Sequence, residues 1–260
     1  MDQLSAGGIA ILATAALLAG AINAVAGGGS LITFPTLLAL GFAPITANVT
    51  NTVGLVPGYL GGIAGYRREL TGQKRTIKML LPAAFTGAVV GAAILLTTSG
   101  DIFRILVPAL VLIASLLLLF QPALQSRLTK LHPESGEAVF ERHDVAAIAG
   151  IFVAAVYGGY FGGVLGVIVL AMLGITMVDS LQRLNALKSV LQFLINGVAV
   201  VIFAIWGPVQ WGVVAVMAPL TLVGGWLGSH FGRKLQPTYL RWIVGMYGIA
   251  CAVVLALTLR

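Results

Sequence analysis

Residues 24–54 of the chain read AVAGGGSLITFPTLLALGFAPITANVTNTVG, and this stretch decides the fold class. It is almost wholly apolar, yet three consecutive glycines, Gly27, Gly28 and Gly29, interrupt it. A cluster of amides and hydroxyls follows in the same run: Asn48, Thr50, Asn51 and Thr52. Backbone leaves the helical form at membrane depth only where it is buried in protein or lines a wet cavity. The stretch therefore predicts a broken helix inside a membrane protein.

The composition supports a polytopic membrane protein. Of 260 residues, 59% are hydrophobic and only 9% are charged, whereas a soluble domain is about 25% charged. The mean hydropathy is +1.02. The net charge of +7 comes from short loops between apolar runs, where basic residues set membrane orientation. We therefore expect the lipid bilayer, and no nucleic acid, as a partner.

Ten apolar segments divide the chain. They fall at 5–26, 30–41, 45–66, 77–98, 102–120, 145–158, 162–174, 181–206, 209–231 and 237–259. Segments 30–41, 145–158 and 162–174 reach only roughly 20 Å as helices, short of the roughly 30 Å hydrocarbon core. Such short pieces beside glycines predict half-helices or distorted hairpins. Residues 1–26 lack a basic start, which favours a first helix over a cleaved signal peptide.

The reactive residues argue against an enzyme or a metal site. The single cysteine, Cys251, lies in an apolar run, which excludes a disulfide or a cysteine-based cluster within one chain. The histidines, His132, His143 and His230, lie in polar sequence or near a helix end. We therefore expect no catalytic residues, no metal and no cofactor.

Landmarks recur at one constant offset in the two halves. Pro82, Gly87 and Gly91 in LPAAFTGAVVGAAI (81–94) match residues of APLTLVGGWLGSHF (218–231). Their counterparts are Pro219, Gly224 and Gly228, and the same offset pairs Arg104 with Arg241. The sequence GGGSLITFPTLLALG (27–41) also resembles GGVLGVIVLAMLG (162–174). These matches predict a first repeat at 1–120, a linker at 121–144 and a second repeat at 145–260 within one membrane domain.

Loop charges predict that the repeats are inverted. The loop 66–78 is strongly basic, while its equivalent, 205–210, is uncharged. In the loop 98–104 the charges cancel, whereas its equivalent, 232–241, is basic. Because basic loops favour the cytoplasm, equivalent loops lie on opposite sides, as in many secondary transporters. The fold class is thus an all-α membrane protein of two inverted units, each a glycine-broken hairpin plus three spanning helices.

This topology places both termini and the 42–44 loop outside, and the 121–143 linker in the cytoplasm. Each hairpin then enters and returns, giving ten segments. An eight-span topology, in which each hairpin crosses the membrane once, is the alternative.

The glycine clusters are candidate midplane junctions. They are Gly27, Gly28 and Gly29 in the first half and Gly162 and Gly163 in the second. A half-helix that follows each cluster would offer free N–H groups and a positive dipole end to an anion. The alternative is close helix packing through small residues.

A polar stripe marks the helix that begins near Val178. Gln182, Asn185, Ser189, Gln192 and Asn196 recur at steps of three and four, so they share one face that avoids lipid. The stripe predicts a cavity, or alternatively hydrogen bonding between helices.

Two cations belong to the same helix. Asp179 precedes Arg183 by four residues, a spacing that predicts an ion pair. Lys188 has no acid at helical spacing, which indicates anion binding, or alternatively snorkelling to the interface. The candidate substrate ligands of this half are Arg183, Asn185, Lys188, Ser189 and Gln192.

In the first half, Asn48, Asn51 and Thr52 share a face and can donate hydrogen bonds to oxyanions. Asn23, on the preceding helix, and Ser30, past the glycines, complete the candidate ligands. The inverted symmetry predicts that 48–52 and 182–192 meet across the midplane.

The pattern AGGGSLITFPTLLALGFAPITANVTNTVG, YRRE, LPAAFTGAVVGA, then GGYFGGVLGVIVLAMLGITMVDSLQRLNALKS, resembles the TauE/SafE (TSUP) family over nearly the whole chain. The resemblance implies a multi-pass, prokaryotic-type plasma-membrane exporter of sulfite, sulfoacetate or a similar sulfur-containing anion. Many members carry GTS-like residues where this chain has NVTNT (48–52) and RLNALKS (183–189), which leaves the anion open. A channel or uniporter for another small anion is the alternative function. The oligomeric state is also left open, a homodimer included.

Overall fold

The computed structural model describes residues 5–25, 27–65, 68–131, 144–177, 179–231 and 237–258. These residues form ten α-helices and no strand. The helices are α1 (Ala6–Val25), α2 (Ser30–Ala39), α3 (Pro44–Gly65), α4 (Lys74–Thr97), α5 (Gly100–Leu131), α6 (Asp144–Tyr160), α7 (Leu165–Thr176), α8 (Leu181–Trp206), α9 (Trp211–Phe231) and α10 (Pro237–Thr258).

Each predicted apolar segment corresponds to one helix, so the all-α membrane class is confirmed. Among the described residues, six helices are long and apolar enough to cross a membrane: α1, α4, α5, α8, α9 and α10. The predicted short pieces are confirmed as α2, α6 and α7. Helix α3 is 22 residues long, but its cluster of amides and hydroxyls lowers its hydropathy.

Helix α5 extends into the predicted linker at 121–144. Helix α5 continues to Leu131, with Pro122 inside it and Gln121 buried. The apolar run does end near 120, but polar residues continue the helix because polarity alone does not break backbone hydrogen bonding. Residues 132–143 lie outside the described residues.

The two halves interlock. The most extensive helix contacts join α1 to α9 and α4 to α6. In the first pair, Gly224 packs on the carbonyl oxygen of Leu17, and Gly228 packs on that of Ala21. Because both positions advance by four residues, α1 and α9 run parallel, with the close backbone approach that small residues allow.

Helices α4 and α6 repeat this arrangement. Gly87 packs on the carbonyl of Phe152, and Gly91 packs on that of Val156. The glycines that marked the sequence repeat therefore make equivalent contacts in the two halves. As a result, the fourth helix of each half packs on the first helix of the other.

Helices at equivalent positions in the two halves run antiparallel where they meet. For α5 and α10, Gly245 packs on Leu119 and Gly248 packs on Ser115. For α3 and α8, Val49 lies against Gly207, just beyond the end of α8, and Tyr59, later in α3, lies beside Gln192, earlier in α8.

The second hairpin turns back on itself. Gly158 packs on Leu165, whose side chain would lie 2.7 Å from an added Cβ. Further along, Gly150 faces Met172. The contacts diverge from the turn in opposite directions, so α6 and α7 are antiparallel.

The buried apolar residues form two clusters. The smaller joins α4, α6, α7 and the first half of α8. The larger joins α1, α2, α3, α5, α9, α10 and the far ends of α4 and α8, together with Val167 of α7. We call the group α4, α6, α7 and α8 the inner module and its equivalent, α9, α1, α2 and α3, the outer module.

Candidate functional site

The first glycine cluster is a break between α1 and α2. Gly27 has φ +79°, a conformation that glycine adopts without strain. The backbone N–H of Gly29 donates to Oδ1 of Asn23 at 3.0 Å. Gly29 also packs on the Ala19 carbonyl, which leaves no room for a side chain. Asn23 therefore ties the end of α1 to the start of α2.

The second cluster breaks the chain between α6 and α7. Gly162 has φ +71° and Val164 has φ 56°, and the latter is strained for a β-branched residue. The hydroxyl of Tyr157 donates to the carbonyl of Gly163 at 2.7 Å. The chain thus departs from helix at both predicted glycine clusters.

The polar cluster of α3 contacts both junction regions. Asn48 Nδ2 donates to the carbonyl of Tyr160 at 2.9 Å. Asn51 Oδ1 accepts from the hydroxyl of Thr33 on α2. Thr52 donates back to the carbonyl of Asn48 at 3.0 Å. Ser30, at the start of α2, is 9% exposed.

The α8 stripe faces α7 and the second junction. Gln192 and Asn196 are buried, and Asn196 Nδ2 donates to the Gln192 carbonyl at 2.8 Å. A Cβ at Gly162 would lie 3.3 Å from Asn196 Oδ1, and one at Gly166 would lie 2.7 Å from Gln192 Oε1. The far part of the stripe, Gln192 and Asn196, therefore lies inside the protein, whereas Asn185 and Ser189 are half-buried and Gln182 is exposed.

Lys188 follows the stripe toward α7. Its Cδ would lie 3.6 Å from a Cβ on Gly166, and its Nζ donates to Oδ1 of Asn185 at 3.1 Å. Ser189, the next residue, donates to the Asn185 carbonyl at 2.9 Å. Within the described part of the chain, Lys188 makes no ion pair. Its stem thus packs inside the protein with its charge uncompensated.

Arg183 has a different environment. Its Nε donates to Oδ1 of Asp179 at 2.7 Å, which confirms the predicted ion pair. Its guanidinium also donates to the carbonyls of Thr71 at 3.0 Å and Glu69 at 3.4 Å. Arg183 therefore fastens the loop before α4 to the start of α8, and these contacts occupy much of its donor capacity.

The sequence reasoning missed two residues beside the stripe. Tyr59 of α3 adjoins both Asn23 and Gln192. Arg241, near the start of α10, is 7% exposed and lies within electrostatic reach of Lys188. Arg241 belonged to a loop in the sequence reading, and no periodic pattern marked its burial.

The polar sets at 48–52 and 182–192 lie at different levels of the molecule. Val49 contacts Gly207 beyond the end of α8, whereas Gln192 adjoins Tyr59. The glycine break between α6 and α7 lies between these two groups of polar residues. Asn48 donates to the carbonyl of Tyr160 before the break, and Asn196 faces Gly162 within it. The expectation that the two sets meet directly is therefore wrong. An α8 that is antiparallel to α3 brings the later turns of α8 to residues 48–52.

The site carries two kinds of polarity. Among the described residues, the carboxylates are those of Glu69, Asp101, Asp144 and Asp179, and none pairs with Lys188 or Arg241. Lys188 of α8 and Arg241 of α10 therefore form a cationic site, and the α3 cluster forms a neutral one.

Comparison with known proteins identifies the family. The model of the family described as "Sulfite exporter TauE/SafE" matches residues 12–255. The chain is 29% identical over 228 residues to the "Probable membrane transporter protein YfcA" of Escherichia coli (strain K12), covering 87% of this chain and 80% of that protein. It is 29% identical over 234 residues to a "Probable membrane transporter protein" of Haemophilus influenzae, with coverage of 88% and 86%.

A third relative, "Probable membrane transporter protein ORF9" of a Sinorhizobium species, is 28% identical over 256 residues, or 97% of this chain and 94% of that protein. No solved structure matches the chain. The six apolar helices and these bacterial membrane relatives agree with a multi-pass protein of the plasma membrane. The chain belongs to the sulfite exporter TauE/SafE family of membrane transporters.

Proposed function

We propose that the protein is a secondary transporter that exports a small sulfur-containing anion, such as sulfite or a sulfonate, by alternating access. The observation that carries this proposal is Lys188. Among the described residues it is a cation without an ion-pair partner, and its stem packs on Gly166. A charge at that depth is costly and marks a substrate pathway by default.

The ligands we propose surround Lys188 on the stripe. Asn185 and Gln192 supply amide donors one turn to either side, and Ser189 adds a hydroxyl. Asn48, Asn51 and Thr52 of α3, together with Asn23 and Ser30, would form a second, uncharged binding site for the anion along the pathway. Arg183 is better explained as a fastener of the 68–73 loop.

The proposed mechanism rests on inverted repeats. Two observations support inversion: α5 and α10 run antiparallel, and so do α3 and α8. Equivalent helices related by a two-fold axis in the membrane plane have opposite directions. The antiparallel arrangement of α6 and α7 supports the ten-segment topology over the eight-span topology. Such a hairpin enters the membrane and returns to the same side. In this frame Lys188 faces the cytoplasmic half and the α3 cluster the outer half.

Flux through proteoliposomes tests the function. We expect uptake of labelled sulfite to saturate with concentration and to show counterflow, as a carrier requires. Lys188→Met keeps the side-chain length and removes the charge, so saturable flux should disappear while the protein still purifies as a monodisperse species. Lys78→Met, on the exposed face of α4, is the matched control and should transport like wild type.

Two results contradict the proposal. Flux that rises linearly with concentration and shows no counterflow would favour the alternative, a channel or uniporter of the same architecture. Equal sulfite affinity in wild type and Lys188→Met would show that Lys188 is not a substrate ligand.

A further inference from the structure

The buried donors around the stripe are not all satisfied. Asn23 Nδ2 and Arg241 Nε are both buried, and neither has a hydrogen-bond partner among the residues that the structure describes. The orientation of the Asn23 amide is fixed, because its Oδ1 accepts from Gly29. Buried polar groups in proteins are nearly always paired. Two orphan donors near one cation indicate an acceptor that binds there.

Arg241 is the more informative of the two. Its side chain is 7% exposed, and within the described residues it makes no hydrogen bond and no ion pair. It lies within electrostatic reach of Lys188. Two like charges near each other repel, so an anion bound between them would stabilise both.

The repeat provides a comparison. Arg104 occupies the position equivalent to Arg241 in the first half, and its side chain is exposed. Asn51 is likewise the equivalent of Lys188, at the same offset. Of these two equivalent pairs of positions, only the second half has a cation at both. Repeat symmetry alone therefore does not explain the burial of Arg241.

We propose that Arg241 is a second cationic ligand of the transported anion, and that together with Lys188 it selects an oxyanion carrying two negative charges. This inference rests on the proposed function and adds the charge class of the substrate. A dianion neutralises the pair, whereas a monoanion leaves one charge uncompensated. Asn23 and Gln192, which both adjoin Tyr59, would donate to the remaining oxygens.

Binding to the purified full chain in detergent tests this inference. Sodium sulfate is the dianion probe and sodium methanesulfonate is the monoanion probe, each titrated calorimetrically at fixed ionic strength. We expect wild type to bind sulfate more tightly than methanesulfonate. Arg241→Gln should weaken sulfate binding at least about tenfold, since loss of a buried charge partner is expensive. The same variant should lower methanesulfonate affinity much less.

Two further variants keep the result interpretable. Arg104→Gln is the matched control at the equivalent exposed position, and it should bind both anions like wild type. Arg241→Lys retains the charge, so it should retain the preference for sulfate even if Arg241→Gln fails to fold. Loss of that preference in Arg241→Lys, with wild-type binding in Arg104→Gln, would show that charge is not the selecting feature.

The failure of this inference differs from failure of the proposed function. Equal sulfate affinity in wild type and Arg241→Gln, beside lost binding in Lys188→Met, overturns the role of Arg241 alone. Equal binding of the two probes by wild type overturns the dianion selection. A wild-type protein that neither binds these probes nor transports sulfite overturns both proposals.

Discussion

The side-chain amide of Asn48 donates to the carbonyl of Tyr160, 2.9 Å away and more than a hundred residues later in the chain. This bond holds the last turn of α6 against α3, immediately before the second junction. Asn48→Leu should therefore destabilise the protein by about 1–3 kcal/mol, the usual effect of leaving a buried polar group unpaired. Thermal unfolding of the purified protein measures it.

Thr52→Val is the control for that bond, because Thr52 bonds only the Asn48 carbonyl of its own helix. Its melting temperature should stay close to wild type. A smaller loss in Asn48→Leu than in Thr52→Val would show that the contact between the halves does not stabilise the fold.

The inverted topology predicts opposite exposure for equivalent connections. Lys74 is the first residue of α4, and Pro208 lies in the connection before α9; both are exposed. In a Cys251→Ala background, an impermeant thiol reagent added outside should label Pro208→Cys and spare Lys74→Cys until the membrane is permeabilised. Gly100→Cys should be labelled like Pro208→Cys, and Gln236→Cys, in a segment outside the described residues, should be spared. Labelling of Lys74→Cys and Pro208→Cys from the same side is incompatible with inversion.

Arg183 should matter for stability more than for substrate. Arg183→Met removes its bonds to Asp179, Thr71 and Glu69, and among the described residues Asp179 keeps only the hydrogen bond from the Ser180 N–H. We expect a loss of about 1–3 kcal/mol, since bonds to charged groups exceed neutral ones but the pair is partly exposed. Sulfite affinity per folded molecule should be retained. A large affinity loss at unchanged stability would instead make Arg183 a substrate ligand.

A substitution at Gly166 tests whether the bound anion occupies the space beside Lys188. An added methyl would meet Gln192 Oε1 at 2.7 Å and approach the Lys188 stem. Gly166→Ala should therefore lower anion affinity, as measured by titration. Gly197→Ala, on α8 with nothing within 4 Å of its added Cβ, is the matched control. If both variants bind alike, the space at Gly166 is not part of the site.

The driving force follows from the acidic residues. In the described residues, each carboxylate lies in a loop or at a helix start, so no buried acid is available as a proton relay. We expect a potassium/valinomycin potential to change the rate of anion flux, since the potential is worth about 2.3 kcal/mol per charge per 100 mV. Uphill flux driven by a pH gradient alone, with no effect of potential, would contradict this and point to Lys188 as the proton carrier.

Much of the helix arrangement could be predicted from the sequence because it depends on local patterns. Apolar runs end at charges or at capping residues such as Ser180 and Gly207, so α8 was predicted at its observed bounds, 181–206. The glycines at 27–29 and 162–163 break helices for local backbone reasons. The four-residue step from Asp179 to Arg183 predicted their ion pair in the same way. The exception is α5, whose helix continues past 120 into polar sequence.

The composition of the site depended on contacts that one sequence does not encode locally. Arg241 resembles any loop cation until packing buries it, and Tyr59 lies in a glycine-rich run without polar periodicity. Helix α4 packs on α6 of the second half, and α9 packs on α1 of the first half. Helices that are neighbours in space are therefore distant in the sequence. Separately, the antiparallel packing of α3 on α8 places residues 48–52 at the end of α8 and not at its start.

The packing of α9 on α1 has a consequence for how the chain is made. The Leu17 and Ala21 carbonyls of α1 are covered by Gly224 and Gly228 of α9. These lie roughly 200 residues later, about 10–40 s of synthesis at 5–20 residues per second. The α6 residues that pack on α4 follow only roughly 65 residues later, which takes about 3–13 s to synthesise. The module that holds Lys188 is therefore complete in the membrane while α1 still lacks its partner, and a ribosome stalled after α8 would leave one finished module beside one unfinished.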